Sequence, residues 1–267
     1  MNPLSLQEIK QIEFELLKSF DAFCRANHIR YFLSNGTLLG AVKYKGFIPW
    51  DDDVDVLVPR EDYDRLIRIF QDNEHMRLVS FEREPRYLFP FAKLCDTATV
   101  KEETDIDNGV TLGLNMDVFP LDAWDDDLEK AKQEAALIKK NISRLSLAKL
   151  RKPNAPGMIK KAAQGILMLP CKLRGGQVFL RNIIAESNKP HQRGENHLGC
   201  KAWCIYGARE IIPADVFAST VEVEFEGNLF FAPAGYDTYL RSLYGDYPKD
   251  PPIEKQKTHH SFTAYRL

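Results

Sequence analysis

Four aspartates lie within five consecutive residues of this 267-residue chain, in the stretch PWDDDVDV that begins at Pro49. Like charges held so close together raise one another's pKa unless a counter-charge neutralises them. A divalent cation is the simplest counter-charge, and Mg²⁺ favours one or two protein carboxylates together with water and substrate phosphates. The cluster therefore indicates a magnesium site for a phosphorylated substrate, with Mn²⁺ as the alternative metal.

Strand periodicity places two of these aspartates together. Val54, Val56 and Val58 alternate with their neighbours, and successive side chains of a strand point to opposite faces. Asp53 and Asp55 then share one face, with the valines buried beneath.

A second strand-like run, GLNMDVFPLD, supplies another carboxylate. Leu114, Met116 and Val118 fall on one of its faces, and Asp117 falls on the other. If the two strands are neighbours in one sheet, Asp117 lies beside the first aspartate cluster and completes a three-carboxylate site at the sheet edge.

A glycine turn precedes the aspartates. Asn35-Gly36-Thr37 follows the strand-like run IRYFLS and opens a short predicted helix, and unpaired amides at a helix start bind anions. Such a turn alone is usually structural. Combined with carboxylates fifteen residues later, it indicates phosphoryl or nucleotidyl transfer.

Three other interpretations compete for the acidic segment. An isolated acidic run is usually a solvated loop, but the adjoining Trp50 and the alternating valines argue for burial. A calcium loop of the EF-hand type needs glycine at its sixth position and glutamate at its twelfth, where this chain has Val56 and Asp62. The DxD metal site of a nucleotide-sugar glycosyltransferase stays open on chemistry alone.

The arrangement of elements predicts an α+β fold, a mixed β-sheet flanked by helices, because strands and helices do not alternate regularly. We expect one catalytic domain over residues 1–267. It would comprise a core of mixed strands and helices at 1–124, a helical basic region at 125–200, and a hairpin, helix and tail at 201–267 that complete the site.

Individual elements follow from local patterns. Apolar spacing predicts helices at 5–26, 61–71 and 236–244, and strand-like runs occur at MRLVSF, YLFPFAKLC and TATVKE. Asp125 is the expected N-cap of a long helix that reaches Arg151, and residues 158–188 are expected to be helical and basic. A hairpin is expected to turn at Gly227-Asn228.

Charge and composition limit the partners and the compartment. The net charge of −2 argues against a nucleic-acid binder. The amino terminus carries charged residues where a secretory signal would be apolar, and the five cysteines suit reduced thiols. We therefore expect a cytoplasmic protein.

The basic residues 158–174 either lie on the anionic inner membrane leaflet or form a solvated insertion, and both interpretations stay open.

The segment LSNGTLLGAVKYKGFIPWDDDVDV resembles the signature of the LicD family, bacterial phosphorylcholine transferases related to fukutin-type ribitol-phosphate transferases and built on the nucleotidyltransferase fold. MDVFPLD resembles the family's second carboxylate motif, and YLRSLYGDYPKDPP with His259 resembles its carboxyl-terminal motif. Residues 125–200 carry no recognisable motif.

This resemblance implies a set of site residues. The implied magnesium ligands are Asp51, Asp53, Asp55 and Asp117. The implied catalytic carboxylates are Asp53, Asp55 and Asp117, the last able to accept the proton of the attacking hydroxyl. The implied substrate contacts are Gly36, Thr37, Lys93 and His259.

The resemblance also implies the reaction. The expected donor is CDP-choline, and the expected acceptor is a sugar hydroxyl on a lipid-linked teichoic-acid or lipopolysaccharide precursor. Choline's quaternary ammonium favours aromatic or acidic surroundings, for which Trp50, Tyr87 and Phe89 are candidates.

Several alternatives remain. The same fold could serve a nucleotidyltransferase, a ribitol- or glycerol-phosphate transferase, or a non-catalytic module that binds a glycan or a nucleotide. A further group, His191, His197, Cys200 and Cys204, matches no standard zinc spacing, so structural thiols and surface histidines are favoured there.

Overall fold

A computed structural model of the chain describes residues 2–189, 196–256 and 262–267. The helices of the described parts are α1 Leu6–Ala26, α2 Asn35–Tyr44, α3 Arg60–Ile69, α4 Leu128–Lys149, α5 Met158–Arg174, α6 Gly176–Ser187 and α7 Tyr236–Tyr244. The strands are β1 Phe32–Leu33, β2 Asp55–Pro59, β3 Met76–Val79, β4 Ala92–Asp96, β5 Thr99–Glu102, β6 Asn115–Ala123, β7 His197–Gly199, β8 Ile212–Pro213, β9 Thr220–Phe225, β10 Asn228–Pro233 and β11 Thr263–Arg266.

The main sheet is mixed, as predicted for an α+β fold. Its strand order is β1-β2-β6-β4-β3, and β7 pairs with the far end of β6 and with β8. Strands β2 and β6 run parallel, whereas the neighbouring pairs β1–β2, β4–β6 and β3–β4 are antiparallel. The register sets Asp55 beside Asp117 and Asp117 beside Lys93. Three polar residues on neighbouring strands therefore meet at one end of the sheet.

Helix α1 follows the predicted amphipathic pattern. It begins at a capping box in which Ser5 and Glu8 bond each other's backbone amides. Its buried stripe includes Leu16, Leu17 and Phe20, which join the core that also holds the apolar residues of β2 and β6. This packing covers one face of the sheet.

Helix α4 departs from the prediction at its start. The N-cap is Asp127, whose Oδ1 accepts hydrogen bonds from the amides of Glu129 at 3.0 Å and Lys130 at 3.3 Å. Asp125 lies two residues too early to reach these amides, and it accepts from the amide of Asp127 instead, at 2.9 Å. The predicted cap at Asp125 was therefore wrong.

The basic helical region contains two helices where the prediction had one continuous segment. Gly175, with φ of 80°, separates α5 from α6. A left-handed backbone at this position ends α5, and glycine adopts it without steric cost. Helix α6 packs against α4 in a second core around Trp124, Ile138 and Leu180.

The predicted hairpin forms, but its turn lies one residue earlier than expected. Phe225 pairs directly with Asn228, so the two turn residues are Glu226 and Gly227, with φ of 48° and 72°. A two-residue turn with positive φ at both positions matches the twist of the strands it joins. Glu226 also accepts a hydrogen bond from the amide of Phe47 at 3.1 Å, which ties the hairpin to the segment before the aspartates.

Two further features of the fold concern the thiols and the length of the helices. All five cysteines are free and buried, as expected for reduced thiols. Within residues 2–189, 196–256 and 262–267, the helices are too short or too polar to traverse a bilayer.

Candidate active site between two cavities

Parallel pairing of β2 with β6 brings the predicted carboxylates together. Asp55 and Asp117 are register partners, and Asp51 and Asp53 lie in the segment that leads into β2. All four line one cavity of about 620 Å³. The predicted convergence of these four residues is therefore confirmed, whereas their individual roles stay predictions.

Asp55 is the most constrained member of the cluster. Its side chain is 7% exposed, and burial followed by the charges of Asp53 and Asp117 raises its pKa well above the ordinary value. Its amide donates to Oγ1 of Thr37 at 2.8 Å. Thr37 is itself buried, so in this position its side chain supports Asp55 and does not face the cavity.

Gly36 lies in the first turn of α2 and on the cavity wall. A Cβ atom at this position would lie 2.8 Å from Oδ2 of Asp51, closer than side-chain atoms normally approach. Glycine therefore allows the Asp51 carboxylate to approach the start of the helix.

Asp117 is held by two neighbours on the sheet. Nζ of Lys93 bonds Oδ1 of Asp117, and Nδ2 of Asn115 donates to the same oxygen at 2.8 Å. Burial alone would lower the pKa of Lys93, but the adjacent Asp117 carboxylate outweighs it and the pKa ends above its ordinary value. Lys93 is thus a fixed cation beside the carboxylates.

A second cavity of about 610 Å³ adjoins the same carboxylates. Asp53, Asp117 and Trp203 line both cavities. The second cavity also contains Lys93 and Lys149, and we name it the lysine cavity. The catalytic candidates therefore lie between two chambers, an arrangement that can serve a reaction between two substrates.

The first cavity is rich in aromatic and acidic side chains, and we name it the aromatic cavity. Its aromatic wall consists of Tyr44, Trp50, Phe119, Trp203, Tyr206, Tyr244 and Tyr247, and its acidic residues include Glu210, Asp246 and Asp250 beside the aspartate cluster. Such a surface suits an organic cation, which is attracted to ring faces and to carboxylates.

The structure separates the predicted aromatic candidates. Trp50 lines the aromatic cavity, with its ring centroid 6.3 Å from that of Tyr44. Phe89 lines the lysine cavity, and Tyr87 is fully buried in a separate core. Of the three candidates, Trp50 lines the aromatic cavity, whereas Tyr87 and Phe89 do not, because β4 and the segment before it lie on the far side of β6 from β2.

Sequence reasoning missed most of the aromatic wall. Tyr244 and Tyr247 stand in YLRSLYGDYPKDPP, the motif already linked to the site, so this signal was available. Tyr206 carries no local signal, and only the packing of its ring against Tyr244, with centroids 5.6 Å apart, brings it to the cavity.

The donor atoms suit a hard divalent cation. The converging groups are all carboxylates, the oxygen ligands that Mg²⁺ and Mn²⁺ prefer, and after burial the charges of Asp53 and Asp117 contribute to the raised pKa of Asp55. Within the described residues, no three His, Cys, Asp or Glu side chains are already arranged around a metal position. The residues fit the metal by their chemistry, and Lys93 supplies the cation that Asp117 contacts here.

Of the other candidates, Cys200 lines the aromatic cavity, and two histidines lie outside the described residues. Cys200 and Cys204 are buried, and burial raises the pKa of both thiols, which suits neutral core residues. The described members of the proposed zinc group form no metal site. His191 and His259 lie outside the described residues.

Comparison with known proteins agrees with the motifs. Residues 28–127 match the family model described as LicD/FKTN/FKRP, nucleotidyltransferase domain. The lipopolysaccharide cholinephosphotransferase LicD of Haemophilus influenzae is 33% identical over 278 residues, which cover all of both chains. An uncharacterized protein of Rickettsia prowazekii is 39% identical over 71 residues, which cover 26% of this chain and 27% of that protein. The match to a named relative over its whole length shows that this chain belongs to the LicD family.

Proposed function

We propose that this LicD-family phosphotransferase moves phosphocholine from CDP-choline to a sugar hydroxyl of a lipopolysaccharide or teichoic-acid precursor and releases CMP. The observation that carries the proposal is the carboxylate cluster between two cavities, one of which is aromatic and acidic. The name of the Haemophilus relative supports phosphocholine as the transferred group and a lipopolysaccharide as the type of acceptor.

The aromatic cavity is the proposed choline site. A quaternary ammonium has no hydrogen to donate, so its recognition depends on ring faces and nearby negative charge. Trp50, Tyr44 and Tyr247 supply the rings, and the aspartate cluster supplies the charge, because Asp246 and Asp250 already pair with Lys249 and Lys43. Among the described residues, the lysine cavity has fewer rings, those of Phe89, Phe91, Trp203 and Phe262, and Phe89 and Phe91 already lie beneath an ammonium group.

Asp53 and Asp55 would hold Mg²⁺ or Mn²⁺, with Asp51 and Asp117 beside them. The metal would supply charge neutralisation of the diphosphate. The fit rests on the all-oxygen donor set and on the raised pKa of Asp55, which shows how unfavourable its unneutralised charge is.

The chain's own side chains account for the remaining chemistry. The acceptor oxygen forms a bond to the phosphorus of phosphocholine while the bond from that phosphorus to the CMP oxygen breaks. Asp117 takes the proton of the attacking hydroxyl, and the contacts from Lys93 and Asn115 hold its carboxylate in place. Lys93 also offsets charge on the phosphoryl oxygens, so catalysis is chiefly positioning and charge neutralisation.

We further place the enzyme in the cytoplasm, at the inner face of the membrane that carries a lipid-linked acceptor. Helix α5 buries Met168 and Cys171 and exposes a stripe of apolar side chains on the opposite face. The stripe consists of Met158, Ile159, Ala162, Ile166, Leu169 and Leu173, and four of these side chains are more than 70% exposed. Lys161 and Lys172 border it, and α5 contains no acidic residue. An apolar stripe that can insert into lipid, with lysines beside it, suits binding to an anionic bilayer surface.

Vesicle flotation tests this placement. The intact chain should float with phosphatidylglycerol vesicles and less with phosphatidylcholine vesicles, and Ile166→Glu should reduce flotation strongly. Leu229→Glu is the matched control, because Leu229 is an exposed leucine on the distant β10. Equal flotation of Ile166→Glu and the native chain would contradict the placement.

Phosphorus NMR tests the reaction itself. CDP-choline, Mg²⁺ and a lipid-linked glycan fraction should yield CMP and a new phosphodiester with the native chain and not with Asp53→Asn. Release of pyrophosphate from a nucleoside triphosphate would favour a nucleotidyltransferase. Turnover only with a CDP-linked ribitol or glycerol would change the transferred group, and binding without turnover would favour a non-catalytic module.

A further inference from the structure

Lys149 is a buried cation without a carboxylate partner in the described part of the chain. It is the last residue of α4, and its side chain is 5% exposed. Its Nζ lies 3.0 Å from the ring centroid of Phe89, and burial followed by the charge of Lys93 lowers its pKa well below the ordinary value. A buried ammonium is unfavourable unless a counter-charge approaches it.

The other two buried lysines of the described chain are paired. Lys93 contacts Asp117, and Lys201 lies 3.2 Å from a carboxylate oxygen of Glu134. Lys149 has no ion pair of this kind within the described residues, although five carboxylates line the same cavity: those of Glu13, Asp52, Asp53, Glu103 and Asp117. The protein thus leaves one buried positive charge facing the cavity beside the catalytic carboxylates.

The position of the lysine cavity limits what this charge can neutralise. Asp53 and Asp117 line both cavities, so a diphosphate bound at these carboxylates has one cavity on each side. The aromatic cavity suits the choline end. The nucleotide end then extends toward Lys93 and Lys149, where the rings of Phe89 and Phe91 form part of the wall.

We propose that Lys149, together with Lys93, binds the phosphate of the nucleotide, so that the lysine cavity holds the CMP half of the donor and of the product. This assignment rests on the proposed function and adds a residue from α4, a region without recognisable family motifs.

The charge that develops on the leaving CMP explains the need for a second lysine. When the bond between phosphorus and the CMP oxygen breaks, the electron pair stays on CMP, whose phosphate gains negative charge. Lys93 is already shared with Asp117, so Lys149 is the buried lysine of this cavity whose charge is available to that phosphate. Ligand binding would also bring a counter-charge close to Lys149.

Equilibrium binding to the full chain, with Mg²⁺ present and no acceptor, tests this inference without turnover. The probes are CMP, cytidine and choline, and the variants are Lys149→Met, Lys149→Arg and Lys140→Met. We expect Lys149→Met to weaken CMP binding by roughly tenfold to a hundredfold, the usual range for losing a charged hydrogen bond. Cytidine and choline binding should be unchanged, and Lys149→Arg should keep most of the CMP affinity.

Lys140→Met is the matched control, since Lys140 is an exposed lysine on the same helix, and it should bind CMP as the native chain does. Three results would overturn the inference: native affinity of Lys149→Met for CMP, an equal loss for CMP and cytidine, or no binding of CMP by the native chain. The protein could also bind CMP in a manner that depends on Lys149 and yet fail to bind choline. That result would support the CMP subsite and contradict the choline assignment.

Discussion

The two cavities are nearly equal in volume and share Asp53, Asp117 and Trp203, yet their remaining walls differ in chemistry. The aromatic cavity surrounds its space with rings and carboxylates, whereas the lysine cavity contains two buried ammonium groups. The proposed donor, CDP-choline, carries a cation at one end and a nucleoside at the other, with the diphosphate between them. On that proposal, the difference between the walls would give the donor one orientation across the carboxylates.

The largest expected effect concerns Asp117, which belongs to both cavities. Asp117→Asn should reduce transfer by on the order of 10³-fold or more, because the proton acceptor is lost. It should also lower stability, since Lys93 is left buried without its counter-charge. The double variant Asp117→Asn with Lys93→Met should regain thermal stability without regaining activity. Recovery of activity in the double variant would contradict the assigned role.

A second effect is a pH dependence of stability that arises in the aromatic cavity. Burial raises the pKa of Glu210, on its wall, to about 8. Unfolding lets this group ionise near its ordinary value of 4.5. The unfolded chain therefore binds fewer protons between these values, and native stability falls as pH rises from about 4.5 to about 8.

The Glu210→Gln variant should not show this fall in stability as pH rises. The free energy of unfolding of Glu210→Gln minus that of the native chain should increase by on the order of 3 kcal/mol between pH 5 and pH 8. Choline affinity of the native chain should increase as pH passes 8 and the carboxylate forms. Urea unfolding and choline titration at several pH values measure both effects, and a pH-independent difference between the two proteins would count against this assignment.

A third effect compares buried lysines of two regions. Lys201→Met should destabilise the protein by about 2 kcal/mol, because the contact of the buried Lys201 with the carboxylate of Glu134 is lost. Lys149→Met should be neutral or stabilising in the absence of ligand, because it removes a buried charge that no carboxylate pairs with in the described chain. Thermal unfolding of both variants checks the contrast. Equal destabilisation would show that Lys149 is a structural residue.

The smallest expected effect concerns the rings. Trp50→Leu should weaken choline binding by about 1 kcal/mol, in the range of one cation–π contact, and should leave CMP binding unchanged. Trp50→Phe is the conservative control and should lose less. Loss of CMP affinity in Trp50→Leu would contradict the division of the donor between the two cavities, as measured by calorimetry with each ligand.

Local patterns predicted the elements that depend on neighbouring residues. The amphipathic α1, the start of α2 at the glycine turn, the buried valines of β2 and the bounds of α7 follow from short-range periodicity. The errors lie at boundaries, where one residue decides the outcome. The helix cap fell at Asp127 and the hairpin turn at Glu226 because hydrogen-bond geometry selects among adjacent candidates.

The sequence by itself determined that this chain concentrates carboxylates beside a glycine-initiated helix, and it thereby indicated metal-assisted phosphoryl transfer. Tertiary structure alone decided that β2 and β6 pair in parallel, that Phe89 lies apart from Trp50, and that Lys149 reaches Lys93 from a distant helix. These contacts join residues far apart in the chain. Sheet register and helix packing set such contacts, and local periodicity carries no information about them.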